Sequence, residues 1–371
     1  MQHDLQHDKA MSVCFPADYK RAREAFVAAA RAAGATLNSY RHPLQGPNGE
    51  ALATDVAWLG PEDAEAVLVL LSATHGVEGF CGSAAQVDFL SRVPELPDGV
   101  AILVVHAVNP HGFAWLRRVT EEGVDLNRNY IDFSHLLPIN EGYDELADAV
   151  VPATLDAETL QLCDARLAGY LSSHGSESYE RALTGGQYDY PHGLFYGGLE
   201  PTWSRKTCEN IIAAYALSGR KRVALIDFHT GIGPFGYGEP ICDHPPGSTG
   251  VRLARQWYGD SVTEPALGTS VSVAKHGLSD YGWMHLVGRP LVFIALEFGT
   301  YPFDNMMQVL RADHWLHAQG NVEWHAEQTQ RIKSAIRNHF YPATPGWQEM
   351  VLKRSRQCIR QAIEGLSNTH G

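Results

Sequence analysis

Four short runs of the chain are almost purely apolar: residues 66–72, 100–107, 222–228 and 290–297. Each is rich in Val, Ile and Leu and is short enough for a strand rather than a helix. Because the apolar positions are continuous instead of alternating, the pattern predicts strands covered on both faces of a sheet. Between and after these runs lie segments with helical periodicity, at 17–33, 82–91, 321–339 and 347–366. In the last, Trp347, Met350, Val351, Cys358, Ile359, Ala362, Ile363 and Leu366 fall on one side of a helix. Buried strands separated by helices predict an α/β protein with a central sheet and helices on both faces.

Residues 131–200 break this rhythm. The stretch is polar, contains an acidic helix-like part, and ends in the turn-rich, aromatic run 184–198. It reads as an insertion or lid within one domain spanning 1–371, whose C-terminal helices occupy 321–366. Tyr188, Tyr190, Phe195 and Tyr196 in that run would suit either a substrate wall or a packed surface loop.

The chemistry is concentrated where the four apolar runs end. In open α/β sheets a ligand sits outside the carboxyl ends of the strands, so the polar groups that follow each run converge there. After the first run come His75 and Glu78, three residues apart and able to reach one cation from a single turn. The third run leads into His229, and the fourth closes on Glu297. Two histidines and a glutamate form the ligand set of a catalytic zinc site with a position open for water. Glu297 ends an apolar strand, where a carboxylate is costly unless used or paired, and is the candidate general base.

The second run leads into the densest polar stretch, 108–130. There Arg117 or Arg118 is a candidate for steadying an oxyanion, and Arg128 for gripping a substrate carboxylate with two parallel hydrogen bonds. Asp125 is a candidate acceptor for the outer nitrogen of a metal-bound histidine.

Composition narrows the field. The formal charge of −13 argues against nucleic acid as a partner, since phosphate binding needs a surplus of Lys and Arg on some face. The N-terminal ten residues are polar, and no apolar run reaches membrane-spanning length, so a cytoplasmic protein is expected. The six cysteines are scattered without a CxxC pair, which predicts reduced thiols rather than a disulfide framework or a four-cysteine metal site.

In order along the chain these motifs are HxxE at 75–78, NPxG at 109–112, an arginine, GVDLNRN at 123–129, a strand ending in His229 and a strand ending in Glu297. The set resembles the zinc carboxypeptidase superfamily, in particular a bacterial branch of carboxypeptidase-like proteins of poorly defined function, over residues 66–299. The resemblance implies a three-layer α/β/α domain around a mixed, mainly parallel sheet of roughly eight strands. It implies one zinc ion on His75, Glu78 and His229, with Glu297 as general base. It also implies that Asn127 and Arg128 bind a substrate carboxylate, that Asp125 supports the first zinc histidine, and that Arg118, or else Arg117, is the oxyanion arginine. A mobile tyrosine over the substrate would correspond to Tyr281, with Trp283 as the other aromatic in that region.

The motif DFHTG at 227–231 is closer to the succinylglutamate desuccinylase and aspartoacylase deacylases. Three readings follow. The first is a hydrolase of N-acyl amino acids or small amides, and the second a carboxypeptidase acting on short peptides. The third is an inactive binding protein on the same scaffold. The first two expect a small molecule or short peptide bearing a carboxylate as partner.

Overall fold

The computed structural model describes residues 14–288 and 291–368. Its centre is a seven-stranded mixed sheet in the order β1-β2-β4-β3-β5-β7-β6. The strands are β1 (Thr36–Gln45), β2 (Ala51–Leu59), β3 (Ala66–Leu71), β4 (Val100–His106), β5 (Arg222–Thr230), β6 (Gly238–Ile241) and β7 (Leu291–Phe298). The middle four, β4, β3, β5 and β7, are parallel. They are the four apolar runs, except that Pro290 lies outside the described residues. The flanking strands β1, β2 and β6 pair antiparallel. Because β1 is antiparallel to β2 and β2 to β4, β1 runs in the same direction as the middle four strands. The sheet is therefore mixed and mainly parallel, as the resemblance implies, with seven strands among the described residues where it implies roughly eight.

Alternate residues of the middle strands feed two separate cores, as the two-residue repeat of a strand requires. Leu68, Leu70, Ile102, Val104, Ile226, Ile294 and Leu296 face one way. They pack beneath α1 (Tyr19–Ala32), α2 (Gly79–Leu90) and two later helices, numbered below. Val67, Val69, Leu103, Val105, Leu225 and Phe293 face the other way, against Ile211, Ile212, Trp283 and Val287. The result is three layers, helix on sheet on helix.

The remaining helices are α3 (Pro110–Ala114), α4 (Glu141–Val150), α5 (Ala157–Thr184), α6 (Trp203–Ala214), α7 (Thr249–Tyr258), α8 (Ser279–Val287), α9 (Phe303–Ala318), α10 (Glu327–Phe340) and α11 (Pro345–Ser367). Helices α7 and α11 complete the first outer layer, through Val251, Ala254, Val351, Cys358 and Ile359. Helices α6 and α8 form the second. A third apolar cluster joins α4 and α5 to α9 and α10, through Tyr143, Leu146, Leu183, Phe195, Met306, Leu310, Ile336 and Phe340. It also takes in Val77, from the turn that carries His75 and Glu78. All six cysteines are buried and unbridged. Among the described residues no helix is long and apolar enough to cross a membrane.

Candidate metal centre

The turn after β3 is held by its neighbours rather than by its own sequence. Gly76 N–H donates to Arg118 O (3.1 Å) and Val77 N–H to Arg117 O (2.8 Å), so the stretch that carries the arginines also anchors the turn. A side chain at position 76 has no room: a Cβ there would lie 2.0 Å from the Gly112 carbonyl carbon. Glycine is needed for this close backbone approach, and the approach brings α3 and the following loop over the site.

His229 stands opposite Glu297 in the β5–β7 register, so the two side chains leave the sheet on the same face. Asp227, two residues before His229, shares that face.

These elements bring His75, Glu78 and His229 together, each buried, with ligand atoms all within 4.8 Å of one another. His75 Nδ1 lies 2.9 Å from Glu78 Oε1. His229 Nδ1 lies 3.1 Å from Glu78 Oε2 and 3.2 Å from His75 Nδ1. The outer ring nitrogens each face an aspartate: His75 Nε2 is 3.1 Å from Asp125 Oδ1, and His229 Nε2 is 2.9 Å from Asp227 Oδ2. Asp227 in turn accepts from Thr74 Oγ1 at 2.8 and 2.9 Å.

This arrangement fits a divalent metal. A neutral imidazole that donates from its outer nitrogen presents a bare lone pair at the inner one. Two such lone pairs and a carboxylate then converge in a buried space, and a cation satisfies all three at once. Outer carboxylates of this kind fix the tautomers of metal-bound histidines. Asp125 has hydrogen-bond geometry to His75, while Asp227 lies within ion-pair distance of His229 Nε2.

The same converging charges shift the titration of the groups themselves. Burial works to raise Glu78, but His75, His229 and Arg118 outweigh it and hold the carboxyl well below its ordinary range. Asp125 behaves likewise under Arg118 and His75. Burial would lower His229, yet Asp227 and Glu78 carry it well above the usual histidine value. Glu297 is pushed up to about 7 by burial and by the nearby Glu78. Its Oε1 accepts from the Ile232 N–H at 3.2 Å.

The cluster opens into a cleft whose lining includes Arg118, Asn127, Arg128, Phe195, Asp243, Lys275 and Glu297. Arg118 is bound on three sides. Its Nε donates to Asp125 Oδ2 (3.0 Å) and its NH1 to Glu78 Oε1 (2.9 Å), and its NH2 lies 2.8 Å from His75 Nε2. With His75 Nε2 giving its proton to Asp125, that nitrogen accepts none from NH2, so Nε and one NH1 hydrogen are spent and the rest of the guanidinium remains for a substrate oxygen. Arg128 is buried and spends Nε and NH2 on Thr184 O and NH1 on Asn127 O. It keeps two N–H groups of the five, fewer than a free guanidinium offers a carboxylate. Asn127 Oδ1 accepts from Ser279 N–H (3.1 Å).

Two sequence candidates lie elsewhere. Arg117 points away from the cleft, with Nε on Asp313 Oδ2 at 3.0 Å. Tyr281 is 44% exposed and lines a separate surface groove with Tyr130 and Arg205, and the alternative Trp283 is buried in the second core. Neighbouring residues on one strand or helix leave in different directions, which residue order alone does not reveal. Of the aromatics in 184–198, Phe195 is the one on the cleft wall, with the Arg118 and Arg128 guanidinium carbons each 5.4 Å from its ring centre.

Sequence reasoning missed Asp227, Thr74, Asp243 and Lys275. The first had a signal: an Asp two residues before a ligand histidine on one strand shares its face. Thr74 directly precedes the ligand His75, while Asp243 and Lys275 carry no motif and arrive from separate loops.

No curated protein matches the chain in sequence. Among solved structures, glutaminyl cyclase of Porphyromonas gingivalis is 12% identical, with 96% of this chain and 97% of that one covered at a TM-score of 0.38. The murein-tripeptide amidase MpaA of Escherichia coli O157 is 16% identical, with 81% and 91% covered and a TM-score of 0.36. The succinylglutamate desuccinylase of Chromobacterium violaceum is 15% identical, with 86% and 74% covered and the same score, 0.36. Likeness at this level says nothing of what the present chain acts on. Residues 15–354 match the family described as "Protein of unknown function (DUF2817)", and the chain belongs to that family.

Proposed function

We propose that this protein is a metal-dependent hydrolase of amide bonds adjacent to a carboxylate, with zinc as the expected ion and N-acyl amino acids or small amides as the first substrate class. The observation that carries this reading is the convergence of His75 Nδ1, His229 Nδ1 and the Glu78 carboxylate beside Glu297. Zinc bound by such ligands supplies Lewis acidity and brings the pKa of water to about 7.

The chain's own groups supply the rest. Glu297 Oε1 is held by the Ile232 N–H, which leaves Oε2 to take a proton from water and pass it to the leaving nitrogen. A value of about 7 suits a group that must accept and release a proton near neutrality. Arg118 adds positive charge beside the carbonyl oxygen, while Asp125 and Asp227 keep both ligand rings in place. Asn127 and the two remaining N–H groups of Arg128 orient the carboxylate, and Lys275 adds a second cation on that wall.

A carboxypeptidase acting on short peptides is the second reading, favoured by the full GVDLNRN stretch at 123–129. The test is release of free amino acid from N-acyl amino acids and from unblocked di- and tripeptides, by zinc-loaded protein and its Glu297→Gln variant. The variant is expected to keep stoichiometric metal and lose turnover by roughly 10²- to 10⁴-fold. Cleavage of peptides alone selects the second reading. Near-normal turnover by Glu297→Gln removes Glu297 from the chemistry.

A further inference from the structure

The charged wall of the cleft holds one group that the proposed reaction leaves unused. Strand β6 runs antiparallel to β7, with Ile241 opposite Ala295, and two residues later the chain delivers Asp243 into the cleft lining. Its surroundings differ from those of Glu239, which lies on β6 itself. The Glu239 carboxylate is met by Thr263 Oγ1 (2.5 Å), Ser270 Oγ (2.8 Å) and Val271 N–H (3.2 Å), all from the chain itself. Asp243 has no hydrogen-bond donor and no ion-pair partner among the described residues, although burial pushes it up to about 6.

The nearby cations are committed elsewhere. Lys275 Nζ donates to Ser272 Oγ and to Val273 O, and Arg128 to Thr184 O and Asn127 O. Both lie close enough to Asp243 to stabilise its charge, yet neither reaches ion-pair distance. Lys275 also balances Glu180 across the cleft. The wall therefore presents two cations, suited to a carboxylate, and beside them a carboxylate lacking a donor, suited to a cation. A part-buried carboxylate without a partner is costly, and a ligand ammonium would remove that cost.

We propose that Asp243 is an ammonium-binding subsite, so that the amino acid released from the substrate carries a second, positively charged amine besides its α-carboxylate, as ornithine does. This rests on the hydrolase reading above for its place in the reaction, but binding can be measured apart from turnover. L-Ornithine and L-norvaline share a carbon skeleton and differ by the terminal amine, which isolates the contact.

The experiment is calorimetric titration of the zinc-loaded protein with each amino acid, beside hydrolysis of their Nα-acetyl forms. A charge-assisted hydrogen bond predicts that ornithine binds about tenfold to a hundredfold more tightly than norvaline. Asp243→Asn should remove that preference, with norvaline, which has no second amine, binding no more weakly than to the unaltered protein. Asp243→Ser, with melting temperatures for both variants, guards against a folding defect in either one.

Equal binding of the two ligands, no binding of either, or a preference that survives in both folded variants overturns the subsite. Hydrolysis of acetylnorvaline without any ornithine preference overturns the subsite and leaves the hydrolase reading standing. A preference for ornithine with neither acetyl compound cleaved supports the subsite and overturns the hydrolase reading.

Discussion

Arg117 and Arg118 are neighbours in sequence and belong to two buried polar networks of opposite character. Around Arg117 the charged groups find their partners within the chain. Asp313 receives Arg117 Nε at 3.0 Å on one oxygen and Lys333 Nζ at 2.5 Å on the other, and Lys333 also lies 2.8 Å from His317 Nε2. Burial, then Arg117, lowers Lys333 to about 8, while Lys333 and Arg117 overcome burial to hold Asp313 well below the usual carboxylate range. Two cations share the one carboxylate, each at hydrogen-bond distance, and none of the network's members lines the cleft.

Around Arg118 acceptors outnumber donors. Glu78 and Asp125 share one guanidinium, and Asp227 adds a third carboxylate behind His229. Two imidazole nitrogens point at each other across the Glu78 carboxylate. A network whose polar groups satisfy one another holds a fold in place, and one that ends in converging lone pairs calls for a cation from outside. The comparison teaches that burial of charge alone does not mark a site. The imbalance does.

The sharpest way to break that contrast is to remove a ligand. His229→Ala should abolish stoichiometric zinc, measured by metal analysis after dialysis, and activity with it. Full zinc retention would show that the cluster is only a second structural network. The converse test is Asp313→Ala, which strands two cations in the interior. It should cost about 3–5 kcal/mol of stability, read from denaturant unfolding, while folded protein still binds zinc. Loss of metal at unchanged stability would mean the two networks are one.

A smaller effect sharpens the picture of the outer aspartates. Asp227→Asn keeps the shape but cannot hold His229 as a carboxylate does. Zinc affinity should fall by about 10- to 100-fold in competition with a chelator, without loss of fold. An unchanged affinity would leave Asp227 with its Thr74 contact alone.

The middle of the sheet and the ligands of the candidate centre were legible in the sequence. Strands buried on both faces must be continuously apolar, so β3, β4, β5 and β7 announced themselves, and His75, Glu78, His229 and Glu297 stood out where those runs end. The antiparallel flanks were silent for other reasons, β2 because Thr54 and Asp55 interrupt its buried run. β1 is largely exposed, with Ser39, Arg41 and Gln45 among its residues, and β6 is only four residues long. Helix α9 carries Asp313 and His314 in its buried face, which blurs its apolar stripe.

Tertiary structure alone decided which arginine faces the cleft, because both sit in one polar stretch and their directions are set by distant partners: Asp313 for Arg117, Glu78 and Asp125 for Arg118, and the backbone bonds to Gly76 and Val77. It also decided that Tyr281 lies in another groove, and that Asp243 and Lys275 share a wall with Arg128. Local pattern records whether a residue must be buried, because burial depends on its own polarity and period. Which groups meet depends on crossings between distant segments, and no local period carries that information.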